Sequence, residues 1–203
     1  DPNHPANFVL MMCVSMHDPG MIVLPTHRLF RGIPALTSEE LVAKLGDCFT
    51  TRVAGEGSDL AHTIWESIET DDDQGTLGLF TSKDERWTVA TVTEQGKARL
   101  AELATDRSSD WQGLGVSILH KLLVDTLLGA AGHPKPKYVH LVDEVVEGLD
   151  QGDDGEAFPL AALVMPATLE HIRLISQHGE RMPAKSTYFY PKLLSGLVFN
   201  PLA

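Results

Sequence analysis

Apolar residues run almost unbroken from Phe8 to Met16, and a run of that length without polar alternation predicts a strand covered on both faces. His17-Asp18-Pro19-Gly20 reads as a turn, because Pro and Gly supply the backbone angles a reversal needs. Met21 to Leu24 then returns as the second arm of a hairpin and opens into Pro25-Thr26-His27-Arg28. Thr37-Ser-Glu-Glu40 has the spacing of a capping box, with Thr37 at the N-cap and Glu40 three residues on, and Gly46 marks the end of the helix. Cys48 to Val53 is a further strand candidate, and Asp59 to Glu69 a second helix.

Two apolar stretches, Gly75 to Ser82 and Arg86 to Val92, flank Lys83-Asp84-Glu85 and predict a hairpin. Residues 94–105 are rich in Ala, Leu and Glu and read as helix, although Gly96 is a poor helix former. The clearest helix carries Leu114, Ile118, Leu119, Leu122, Leu123 and Leu127 on one stripe and ends at Gly129. Beyond it come a strand at Tyr138 to Val142, a short helix at Asp143 to Leu149 and a buried strand at Ala157 to Met165. A helix from Thr168 to His178, stopped by Gly179, completes the series. No linker or repeat divides the chain. The expected fold class is α+β (mixed α/β): hairpins and a mixed sheet packed against several helices in a single compact domain over residues 1–203.

Composition is that of an ordinary globular protein, with 43% hydrophobic and 22% charged residues, but the formal net charge is −12. Such an acidic chain lacks the broad basic field that sequence-independent nucleic-acid binding requires. No apolar run approaches the roughly 20 residues that span a bilayer, so a cytoplasmic protein without a membrane partner is expected. Cys13 and Cys48 both lie in apolar surroundings and read as reduced core residues. No spacing of Cys, His or carboxylates defines a metal site. Asp71-Asp-Asp73 reads as a solvated loop, and Asp150 to Glu156 lacks the ligands of a calcium loop.

Against this acidic background, two segments are cationic and free of acids. After Glu180 there is no carboxylate, while Arg181, Lys185 and Lys192 are interleaved with Ser186, Thr187, Tyr188, Tyr190 and Ser195, all hydrogen-bond donors. Between Asp18 and Glu39 the cations are Arg28 and Arg31, next to His27. Both segments suit a small anion. Arg28, Arg181, Lys185, Ser186, Thr187 and Lys192 are the candidate phosphate- or anion-binding residues; His27, as acid or base, and Lys185 are the candidate catalytic pair. Gly179 to Ser186 has the length of a nucleotide phosphate loop but follows a helix and leads into β-type sequence, which is the wrong context.

Met182-Pro-x-Lys-Ser-Thr-x-Phe-x-Pro-Lys192, followed by Ser195-Gly-Leu, resembles the C-terminal signature of the bacterial and archaeal domain-of-unknown-function family numbered 1015. Asp18-Pro-Gly-x-x-x-Leu-Pro-Thr-His-Arg28 and Leu119-His120 resemble it too, and the register runs from about Ala6 to Leu202. The family's upstream Asp-Gly-His-His-Arg motif does not occur here, so the resemblance implies the C-terminal part of a longer protein, inactive alone if that motif carries catalysis. The family is similar to sulfiredoxin-like phosphotransferases, some of which phosphorylate free serine. That similarity implies handling of phosphoryl groups, with a nucleotide and Mg as the candidate cofactor. Three readings stay open. The chain is a phosphoryl-transfer or phosphate-ester enzyme, or a non-catalytic module binding an anionic metabolite or nucleotide. Alternatively, Tyr188, Phe189 and Tyr190 anchor a homo-oligomer interface.

Overall fold

The computed structural model describes residues 2, 4–194 and 196–199. Residues 23–188 pack as one unit, and residues 1–22 with 189–203 form a second. The chain is an α+β protein. In order, its main elements are β1 (Ile22–Leu24), β2 (His27–Phe30), α1 (Ser38–Leu45), β3 (Phe49–Glu56), α2 (Ala61–Asp71), β4 (Thr76–Thr81) and β5 (Arg86–Val92). Then come α3 (Glu94–Leu103), α4 (Ser109–Gln112) and α5 (Gly115–Ser117), which runs on as a π-helix over Ile118–Leu127. β6 (Lys137–Val139), α6 (Val142–Gln151), β7 (Leu160–Val164), α7 (Leu169–Gln177) and β8 (Tyr188–Tyr190) complete the chain.

Six strands form one sheet in the order β3-β5-β4-β7-β2-β6, and β1 with β8 makes a separate two-stranded ribbon. The six-stranded sheet is antiparallel at every pairing, where a mixed sheet was expected. Its central strands β4, β7 and β2 are buried throughout, because helices cover both faces. Strand alternation divides the core in two. Leu29, Phe80, Ala161 and Leu163 pack with Ile64 and Ile68 of α2 and Val145 of α6. Phe30, Leu77, Leu79, Ala162 and Val164 pack on the other side with Leu41 and Leu45 of α1, Leu100 of α3 and the leucines of the π-helix.

The capping box forms as expected: Thr37 Oγ1 accepts from the Glu40 N–H at 3.1 Å, and the Glu40 carboxylate accepts from the Thr37 N–H at 2.8 Å. The predicted hairpin at residues 83–85 joins β4 to β5 and supplies Asp84, whose carboxylate accepts from the Ser38 N–H at 2.8 Å and its hydroxyl at 2.7 Å. Gly96, the doubtful residue of α3, is required by packing: a Cβ there would lie 2.3 Å from the Cys48 carbonyl oxygen.

Two expectations fail at the N-terminus. Phe8 to Met16 forms no strand, and its apolar side chains are exposed, Val9 at 85% and Met11 at 74%. An apolar run becomes a buried strand only when neighbouring strands take its backbone groups, and β1 takes β8 rather than this run. Cys13 is accordingly exposed, while Cys48 is partly buried as a free thiol. Among the described residues, no helix is long and apolar enough to cross a membrane.

Candidate anion site at Arg28

Thr26, His27 and Arg28 lie where the chain enters the centre of the sheet, between β7 and β6. Arg28 is fully buried. Its Nη2 donates to the main-chain carbonyl of Lys185 at 2.8 Å, its Nη1 donates to the Thr26 carbonyl, and its Nε has no partner. Tyr138, directly opposite on β6, presents its ring 5.7 Å from the guanidinium carbon. No carboxylate among the described residues pairs with Arg28. Burial lowers its pKa to about 10, which still leaves the group charged at neutral pH. An ion taken out of water without a counterion costs several kcal/mol, so a neutral protein interior would not choose this arrangement for stability.

The second cationic segment meets the first here. The Lys185 carbonyl sits on Arg28, and Ser186 is buried, its hydroxyl donating to the Pro183 carbonyl at 2.8 Å. The segment is pinned at its start by Glu180, whose carboxylate accepts from the N–H of Ser108 at 2.7 Å and from its hydroxyl at 3.2 Å. Met182 packs on Leu114, Ala167 and Ile175. Lys185 itself is in the left-handed region at φ 57°, a conformation costly for a non-glycine residue and found where surrounding structure holds it. Its side chain and that of Arg181 are exposed and form no ion pair among the described residues. Thr187 is partly buried. Lys192 falls in the unit containing residues 189–203. Ser195 lies outside the described residues.

His27 is placed differently from Arg28. Neighbouring residues of a strand point to opposite faces, and the His27 ring rests edge-on against Trp65 of α2 at 4.8 Å, on the Leu29 side. Its Nδ1 accepts from the Val164 N–H at 3.3 Å, so Nε2 carries the proton and is buried without a partner. Burial, then the charges of Arg28 and His140, lowers its pKa to about 3. His27 and Arg28 therefore do not converge on one point.

Other histidines lie on the elements that pack around β2. His140 Nδ1 lies 2.9 Å from the Pro25 carbonyl, which only accepts, so that nitrogen is the protonated one; the ring packs on Tyr188 at 3.6 Å. On the Arg28 face, Phe30 touches His120 at 5.7 Å and His133 at 5.3 Å. The sequence marks His120 only through the Leu119-His120 resemblance and does not mark His140; the pairing of β2 with β6, and the packing of the π-helix across β2, bring them to this strand. The Asp71–Asp73 run borders a separate cleft of about 450 Å³ lined also by Asp110, Thr168 and His171, whose acidic character is the opposite of the Arg28 region. No group of three His, Cys, Asp or Glu among the described residues is arranged to hold a metal ion.

No curated protein matches the chain. Among solved structures, a mutant free serine kinase in complex with AMP is similar at 12% identity and a TM-score of 0.46, over 87% of this chain. The chain spans 56% of the length of that protein. A family model described as a protein of unknown function, DUF1015, matches residues 1–117, a stretch that takes in Asp18 to Arg28 and ends before the Met182 to Lys192 signature. That stretch is more than half the sequence, and the chain belongs to the DUF1015 family.

Proposed function

We propose that Arg28 and the segment from Arg181 to Thr187 form a binding site for a small phosphorylated ligand, and that the protein acts in phosphoryl transfer or on a phosphate ester. One observation carries this reading: a fully buried guanidinium with no countercharge among the described residues, an Nε–H without a partner, and a main-chain carbonyl in the place a ligand oxygen would take. An oxyanion in place of the Lys185 carbonyl would supply the missing charge and turn an ordinary hydrogen bond into a charge-assisted one. In this reading Lys185 and Arg181, both without ion pairs among the described residues, close over the ligand from the solvent side. The Thr187 hydroxyl is a further donor, and that of Ser186 becomes one by releasing the Pro183 carbonyl. Phosphoryl transfer depends on positioning and charge stabilisation, and this inventory supplies both. The nucleotide, if one is used, would bring Mg with it.

A thermal-shift panel of phosphate, pyrophosphate, ADP, ATP and phosphoserine, with and without magnesium, tests the reading. A ligand present at a hundred times its dissociation constant stabilises by about 2.7 kcal/mol, which for a chain of this size raises the midpoint by roughly 5–10 °C. A shift given by a phosphorylated ligand and lost in Lys185→Ala supports the site. A flat panel sinks it. Phosphoryl transfer is then assayed with the ligand that shifts, and binding without turnover would favour the non-catalytic module.

A further inference from the structure

The histidines around β2 differ in one respect that bears on the Arg28 site. His27 accepts from the Val164 N–H at 3.3 Å, His140 pairs with the Pro25 carbonyl at 2.9 Å, and His133 pairs with the Pro134 carbonyl at 2.6 Å. His120 makes no hydrogen bond among the described residues, so both of its ring nitrogens are uncommitted. It is held on the Arg28 side of the sheet by two ring contacts. Phe30, two residues along β2 from Arg28 and on the same face, lies 5.7 Å from its ring. His133 stacks on it at 6.1 Å with the planes 21° apart. The residue is carried by the π-helix, whose wider winding is rare and recurs at functional sites.

We propose that His120 is a second ligand-binding group of this site, donating a hydrogen bond from its imidazole to an oxygen of the oxyanion that Arg28 holds. The proposal rests on the anion-site reading above and adds the group that orients the ligand within it. His120 has no hydrogen-bond partner among the described residues and shares a face of the sheet with a buried cation lacking a countercharge, and one tetrahedral oxyanion would serve both groups. The ring acts as a neutral donor. Burial, the charge of Arg28 and then that of His133 lower its pKa to about 3, so it offers one N–H and keeps one free acceptor at neutral pH.

Calorimetric titration of the 203-residue chain with inorganic phosphate provides the test. His120→Phe, which keeps the ring packing against Phe30 and His133 but has no N–H, is expected to weaken phosphate binding by about tenfold or more. His120→Gln, which restores a donor, is expected to stay within about threefold of wild type. Phosphate binding by His120→Phe at wild-type strength overturns the proposal. Binding by wild type that is lost in Arg28→Met but kept in His120→Phe overturns this inference alone and leaves the anion site standing. No phosphate binding by wild type overturns both. Nitrogen-15 NMR of the wild-type imidazoles gives the same answer without a variant: the His120 ring signals move on phosphate addition, and unmoved signals beside shifting Arg28 signals count against it.

Discussion

Arg28 and Lys185 stand 157 residues apart in sequence and are joined by one hydrogen bond of 2.8 Å, from the Arg28 Nη2 to the Lys185 carbonyl. The bond runs from a cation to a neutral oxygen. It ties the segment after α7 to the centre of the sheet, yet leaves the charge of Arg28 unanswered.

Arg28→Met should therefore separate stability from binding. Replacing a buried, unpaired ion by an apolar side chain of similar volume is often neutral or stabilising, while the two carbonyls released each lose a partner. The expected unfolding free energy lies within about 2 kcal/mol of wild type, with phosphate binding abolished. Urea denaturation and calorimetry read the two quantities. A loss above about 4 kcal/mol would mean that Arg28 holds the sheet and the Lys185 segment together and is structural.

The buried histidines predict an acid-side weakness. His27 and His120 have folded pKa values of about 3 against 6.5 in the unfolded chain. Between those limits the unfolded state binds more protons, so their contribution is complete above pH 6.5 and is lost as pH falls toward 3. The groups facing them are Arg28 and His140 for His27, and Arg28 and His133 for His120. Each histidine adds up to roughly 1.4 kcal/mol per pH unit to the slope. Urea midpoints measured across this range should show a shallower slope in His120→Gln than in wild type. Equal slopes would show that the ring titrates normally in the folded chain.

Gly96→Ala should destabilise although it replaces a poor helix former with the best one. The helix propensity gain is about 1 kcal/mol. Against it stands a methyl carbon 2.3 Å from the Cys48 carbonyl oxygen and 2.7 Å from Val92 Cγ2, where backbone must move. A net loss of about 2 kcal/mol is expected from thermal or urea unfolding. A stabilised variant would show that α3 slides away from β3 without cost.

Much of the element order is legible in sequence because its signals are local. Thr37 and Glu40 form their capping box, Lys83 to Glu85 makes its hairpin, and the leucine stripe after Leu114 packs as one helical element. What escapes is long-range. The exposure of Phe8 to Met16 depends on which strand β1 pairs with, and no pattern within that run records this. The π-winding over Ile118–Leu127 leaves no mark on the stripe that predicts a helix. At the site, Arg28 and Lys185 were both singled out by an acid-free neighbourhood, and the structure brings them together. His27 was paired with Arg28 by adjacency, whereas strand geometry sends neighbours to opposite faces. His120, marked in sequence only by the Leu119-His120 resemblance, is carried to the Arg28 face by packing.

The strand order also has a bearing on how the chain is made. β3, β4 and β5 are close in sequence and adjacent in the sheet, so they can assemble as soon as residue 92 has left the ribosome. β2 is synthesised earlier, yet both its neighbours, β6 and β7, arrive more than a hundred residues later. Its guanidinium must wait in water until those strands emerge. Closing so large a loop is slow, and the order of synthesis opposes it. The last step of folding is then the seating of β2 between two strands that had not existed when it emerged, and a chain stalled before residue 164 would expose that vacant slot to any extended segment nearby.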